Sequence, residues 1–309
     1  MDGPVRSPER ILHPPHGAPL SILLHAALFA VTGLTATVAG TLFWEDSPGG
    51  VGVGSWDEMA TRPWALLSGW PYAACLLLVL LSHEMGHYLA CRYHGIPVTL
   101  PFFLPAPPPF ILGTFGAVIR IRGVIPHRRA LFDVAAAGPL AGFAVALPIL
   151  VAGVLWARPL PVPTPAGGWE LGSPLVSAAL ELWIHGDTMI QANAFLGAGW
   201  VGMLVTSLNL FPVGQLDGGH AAYAVSRRLH RVLSKGTIFG LVALVSYQFH
   251  SPTAAPVYLV WLVVSLILRD RHPRLEDETM GLGRGRLFLA VLLVLIFLAT
   301  FIPVPIAHP

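Results

Sequence analysis

Ser82-His83-Glu84-Met85-Gly86-His87 lies inside a long apolar run that begins near Trp64 and ends near Tyr93. On a helix, residues four apart share a face, so His83 and His87 can present two imidazoles to one zinc ion while Glu84, one step round, faces a water on that ion. Two neutral ligands and a base are a hydrolase's starting set. The flanks set the solvent: Ala73-Ala74-Cys75-Leu76-Leu77-Leu78-Val79-Leu80-Leu81 before the motif and Tyr88-Leu89-Ala90 after it read as membrane.

Composition agrees with that solvent. The chain is 54% hydrophobic and 11% charged, where a soluble domain carries about 25% charged residues. The net charge of +2 and the scatter of basic residues over loops exclude a nucleic-acid partner. Cys75 and Cys91 fall on one expected helix, about 24 Å apart along its axis, too far for a disulfide. The first apolar run, residues 20–44, is longer than the roughly 7–15 residues of a signal-peptide core and is read as a retained span.

The fold class that follows is an all-α polytopic membrane protein with about seven transmembrane helices. Residues 1–19, rich in proline, read as an irregular cytoplasmic tail, and span one follows over 20–43. The loop at 45–63 is acidic, and span two covers 66–93. Residues 97–129 combine helix-breaking Pro97, Pro101, Pro105, Pro107, Pro108 and Pro109 with apolar Leu100, Phe102, Phe103 and Leu104. Non-helical backbone persists at membrane depth only where protein buries it or it lines a cavity, so a re-entrant loop is expected there. It runs into Gly113-Thr114-Phe115-Gly116-Ala117-Val118-Ile119-Arg120-Ile121-Arg122-Gly123, whose later half alternates with a strand's period and predicts a short hairpin or edge strand. Span three is 131–155, with Gly138 and Gly142 offering close contact and Pro139 a bend. A short surface helix is expected at 175–184, span four at 193–211, spans five and six at 237–250 and 254–268, a polar cytoplasmic linker at 269–286, and a C-terminal span within 287–309.

With the N-terminus in the cytoplasm, this layout puts sixteen of the eighteen basic residues inside, leaving Arg62 and Arg158 outside. Arg92 then marks the cytoplasmic interface, and His83 and His87 lie about 8–14 Å inward from it. Ionisable groups at that depth are costly and mark function.

A catalytic zinc takes three protein ligands and keeps one position for water. Glu84, Asp133 and Asp217 are the acidic residues at the right end of the bundle. Asp133 opens span three and reads as a charge on a helix N-terminus. Asp217 follows the break in span four, from which unwound backbone can deliver it, and His220 is the rival ligand. His94 stands about 10 Å along the helix from His87 and is excluded.

His83-Glu84-Met85-Gly86-His87, then Gly138-Pro139, then Asn209-Leu210-Phe211-Pro212 leading to Leu216-Asp217-Gly218-Gly219 resemble in order and spacing the site-2 proteases, zinc metalloproteases that cut within the membrane. The resemblance covers roughly residues 65–235, inside a membrane-embedded domain expected at 20–268. It implies one Zn²⁺ per chain on His83, His87 and Asp217, with Glu84 as the catalytic base. It implies that Asn209 and Pro212 hold substrate or shape the site, and that Gly113, Thr114, Phe115, Gly116 and Ala117 receive the substrate. That substrate would be a transmembrane protein in the lipid bilayer, cut in regulated intramembrane proteolysis. The form is similar to plastid and cyanobacterial branches, in a bacterial inner membrane or an organelle membrane. The loop between spans three and four is too short for the PDZ domain some members insert. No nucleotide-sensing domain is expected after span six, and the regulatory partner is open. Competing readings are a hydrolase of lipidated peptides and a zinc transporter, which would need paired charges on several spans and no base.

Overall fold

A computed structural model describes residues 19–44, 63–108, 110–160, 170–250, 257–268 and 275–307. The tail at 1–18, most of the acidic loop and part of the 269–286 linker fall outside the described residues. The elements run in order α1 (Pro19–Phe43), α2 (Trp70–Tyr93), β1 (Phe102–Pro105), β2 (Thr114–Val118), β3 (Ile125–His127), α3 (Arg128–Leu155), β4 (Glu170–Leu171), α4 (Leu175–His185), α5 (Ala194–Asn209), α6 (Asp217–Val225), α7 (Arg227–His250), α8 (Tyr258–Leu268), β5 (Leu275–Asp277), α9 (Arg284–Thr300) and β6 (Ile306–Ala307).

The molecule is mostly helical. Among the described residues four helices, α1, α2, α3 and α7, are long and apolar enough to cross a membrane; α5, α8 and α9 are shorter, at 16, 11 and 17 residues. Proline favours the start of α2, with Pro71 in its first turn where the missing N–H costs nothing. His127 caps α3, its Nδ1 accepting from the Ala130 N–H at 3.0 Å, and Asn193 caps α5 through the N–H groups of Phe195 and Leu196. Pro139 and Pro148 sit inside α3 without ending it.

Helices α2, α3 and α5 form the centre. Leu76 and Leu80 of α2 pack with Val201 and Leu204 of α5 in one core cluster. Gly199 of α5 lies against Leu150 of α3, the close contact expected of its glycines.

The strand prediction lands in part. β1 and β2 form an antiparallel pair with Phe102 opposite Val118 and Phe103 opposite Ala117. The ladder therefore ends at Val118, and the alternating residues 119–122 run on beyond it with one bridge, Val98 to Ile121. Gly113 begins the returning strand at φ +69, and a Cβ there would stand 2.5 Å from the Ala36 Cα of α1. Its carbonyl accepts from Thr35 Oγ1 at 2.7 Å, while Trp44 Nε1–H and the Tyr72 hydroxyl donate to Ile111 and Leu112 carbonyls at 3.2 Å each. The hairpin is thereby fastened to α1 and α2.

Two expectations change. The basic stretch Arg227, Arg228, Arg231 and Lys235 is not a loop before a short span. It is the opening of α7, a single 24-residue helix. Asp133 does not serve a helix N-terminus: it lies in the second turn of α3, and its carboxylate takes both Arg286 Nε and Nη2 at 2.7 Å and His94 Nε2–H at 2.9 Å.

Candidate metal centre

The spacing of His83 and His87 puts both rings on the face of α2 that meets α3 and α6. His83, Glu84 and His87 are all buried, at 3%, 7% and 7% exposure. Each ring is positioned by α3. His87 Nδ1–H donates to the Val134 carbonyl at 2.7 Å, which leaves Nε2 with its lone pair outward. Gly138 and Gly142 form the shelf beneath the rings: a Cβ on Gly138 would stand 2.1 Å from His87 Nε2, and one on Gly142 3.1 Å from His83 Nδ1. Any larger residue at 138 would take the space of the imidazole.

Asp217 arrives from the other side. It is not carried on unwound backbone, as expected, but is the first residue of α6, after a turn through 210–216 that breaks away from α5. Its glycine neighbours allow that turn to fold tightly, with Gly218 against the Leu210 carbonyl. Asp217 Oδ2 stands 3.3 Å from both His83 Nε2 and His87 Nε2, and the two Nε2 atoms are 3.1 Å apart.

These distances test the fit of a metal. Donor atoms at about 2.1 Å from a tetrahedral ion stand roughly 3.4 Å from one another. Three donors 3.1–3.3 Å apart therefore match one small tetrahedral ion with little movement. Two imidazoles and a carboxylate are a zinc donor set with the fourth position left for water or substrate. Among the described residues this is the one group of three His, Cys, Asp or Glu side chains that can hold a metal, and His220 is not in it.

The remaining candidates sort by place. Asn209, at the end of α5, puts its Nδ2 3.2 Å from His83 Nε2. Pro212 lies in the turn, its carbonyl accepting from Ser234 Oγ at 3.1 Å. Gly113, Thr114, Phe115, Gly116 and Ala117 belong to the hairpin and not to the metal group; Thr114 Oγ1 ties the ladder at Leu104 O, 2.8 Å away. The chain just beyond them reaches the centre, where the backbone of Ile119 lies beside the Glu84 side chain. Val134 carried no assigned role in the sequence reading; Gly138 and Gly142 were read there as close helix contacts rather than as supports of the histidines, and Ile119 only as part of the strand-like stretch. The glycines did leave a signal, because their spacing of four equals that of the two histidines they support.

Known proteins agree with this geometry. The chain is 30% identical over 253 residues to the probable zinc metalloprotease EGY1, chloroplastic, of Oryza sativa subsp. japonica, covering 76% of this chain and 41% of that one. It is 30% identical over 244 residues to the probable zinc metalloprotease EGY2, chloroplastic, of Arabidopsis thaliana, at 74% and 42% coverage. The chain thus spans about two-fifths of the length of these curated relatives. The model of peptidase family M50 matches residues 71–250. That stretch takes in α2 with its histidine pair, the glycine shelf of α3 and the Asp217 turn, so the chain belongs to peptidase family M50, the site-2 protease family its motifs resemble.

Proposed function

We propose that the chain is an intramembrane zinc metalloprotease that hydrolyses a peptide bond within or near a transmembrane segment of a membrane-protein substrate, in regulated intramembrane proteolysis. The observation that carries the reading is the set of His83, His87 and Asp217 donor atoms 3.1–3.3 Å apart, with the two histidines and Glu84 on a helix apolar enough to span a membrane. His83, His87 and Asp217 would hold the ion. When bound, zinc supplies Lewis-acid polarisation of a carbonyl and acidifies water.

Glu84 takes the proton of the attacking water and hands it to the leaving amide nitrogen. Asn209 lies beside His83 Nε2, where its side-chain amide would donate to the substrate carbonyl. Pro212 shapes the turn that places Asp217. A transmembrane helix hides its carbonyls in its own hydrogen bonds, so the substrate must unwind. The hairpin meets that need by strand addition, because β2 pairs with β1 on one edge only among the described residues. Gly113, Thr114, Phe115, Gly116 and Ala117 would form the receiving strand, and the Ile119 contact to Glu84 aims its end at the metal group.

The topology we propose has about seven spans, the hairpin re-entering the bilayer between spans two and three, and the N-terminus in the cytoplasm. The protease domain takes residues 20–268, with 269–286 as a cytoplasmic linker and a C-terminal span beyond. The sided distribution of basic residues supports it. The relatives are named chloroplastic, which does not favour a bacterial inner membrane, so the placement carried forward is a multi-pass membrane protein.

The test compares membrane proteomes of cells carrying the wild-type chain and Glu84→Gln. Loss of the base should slow cleavage by about 10²–10⁴-fold while zinc stays bound. Single-span proteins should then accumulate uncut. A zinc-loaded Glu84→Gln chain that processes its targets at the wild-type rate would refute the mechanism.

A further inference from the structure

Helix α7 presents two different faces over its first turns. Inward, the Ser234 hydroxyl donates to the Pro212 carbonyl at 3.1 Å, and His230 Nε2–H to the Gly214 carbonyl at 3.3 Å. That face holds the turn that leads to Asp217. Outward, Arg228, Arg231 and Lys235 are exposed and line a groove of about 270 Å³ floored by Val232. Their neighbour Arg227 is ion-paired with Glu278. The three groove residues have no carboxylate partner among the described residues, although each is long enough to reach for one.

What lies below the groove on the same face completes the pattern. At 100° per residue, Phe239, Val242 and Phe249 fall under Arg228, Arg231 and Lys235. They are 75%, 48% and 62% exposed. One helix face thus carries at one end three cations with no carboxylate partner among the described residues, and below them an apolar track of about 15 Å from Phe239 to Phe249. The bland reading of such cations is a topology signal. It explains their side of the membrane but neither their convergence on one groove nor the aligned track beneath it.

We propose that Arg228, Arg231 and Lys235 form a binding site for the phosphate of an anionic phospholipid, whose acyl chain lies along the Phe239–Val242–Phe249 face of α7. The basic side chains extend along the helix and place their charges at headgroup level, where each Arg or Lys favours an anionic lipid by about fivefold. The phosphate neutralises charges that have no carboxylate partner among the described residues, and the acyl chain covers the exposed aromatic rings. The site rests on α7 crossing the bilayer, and not on proteolysis.

The test uses the full chain reconstituted in phosphatidylcholine vesicles containing a trace of pyrene-labelled phosphatidylglycerol or pyrene-labelled phosphatidylcholine, read by energy transfer from tryptophan. Wild type should favour phosphatidylglycerol by tenfold or more, and Arg228→Gln/Arg231→Gln/Lys235→Gln should lose that preference. Arg120→Gln/Arg122→Gln, which removes the same kind of charge elsewhere, should keep it. If the triple variant does not fold, Arg231→Gln alone should lower the preference by about fivefold. Free inorganic phosphate in excess should not displace the lipid. Equal preference for both lipids in the wild type, retention of selectivity by the triple variant, or displacement by inorganic phosphate would each overturn the proposal. Because lipid selectivity is read without substrate, a failed protease assay would leave this result standing.

Discussion

Asp217 is the residue on which the candidate centre turns, because among the described residues it is the one anion of the three grouped side chains and the one from outside α2. Removing a group that merely orients a ligand costs roughly 10–100-fold in metal affinity. Asp217→Asn removes the anionic ligand itself and should exceed that range in a zinc-chelator competition, with α2 unchanged. His220→Ala should leave affinity within about threefold, since His220 is outside the donor group. The reverse ranking would transfer the third ligand to His220. His87 has a different vulnerability: its Nδ1–H is held by a backbone carbonyl, Val134, which no substitution at 134 deletes. Its ring is exposed instead to changes at Gly138, where even one added carbon meets Nε2.

Among the elements, α2 and its ligand pair were the most legible in the sequence, because a four-residue spacing is a local property of any helix. The hairpin was legible only in outline. Proline density marked residues 97–129 as non-helical, but the pairing of Phe102 with Val118 depends on contacts with α1 and α2, through Gly113, Trp44 and Tyr72, that period-two alternation does not encode. The same limit hid the start of α6: Gly214 and the two glycines after Asp217 announce a turn, yet the turn closes into a new helix because Gly218 can press on the Leu210 carbonyl. Val134 had no side-chain signal at all. The hairpin's part in the reaction is testable at its end. Ile119→Pro deletes the backbone N–H beside Glu84, just past the end of the receiving strand. It should reduce cleavage of a transmembrane substrate by at least about tenfold, with zinc content unchanged. Wild-type cleavage by Ile119→Pro would remove strand addition from the mechanism.

At the scale of the whole molecule, the C-terminal part lies beyond the matched residues 71–250 and is nevertheless bolted to the metal centre's scaffold. β5 pairs in parallel with β3, and Glu278 gathers Arg227, Arg128 and the Tyr223 hydroxyl. The Arg227 guanidinium holds the Glu278 carboxyl below its usual range, so this tie persists at neutral pH and is lost as the pH falls through the Glu278 value. Arg129 donates to the Gly281 carbonyl at 2.8 Å. Deeper, Arg286 of α9 makes its two-pronged bond to Asp133, the residue next to Val134, whose carbonyl orients His87. The Arg286 and Asp133 side chains are 30% and 24% exposed. That places the pair between surface bridges, worth about 0–1 kcal/mol, and buried ones, whose breaking costs about 3–5 kcal/mol. A double-mutant cycle of Arg286→Gln with Asp133→Asn, read by thermal unfolding in detergent, should give a coupling of about 1–2 kcal/mol. Arg286→Gln should also weaken zinc binding, by less than about tenfold, because it loosens the strand of α3 backbone that aims His87 without touching a ligand. Asp133→Asn should do so too, and the double variant should be no worse than the weaker single one. Additive losses in both stability and zinc affinity would show that α9 and the metal centre are held independently.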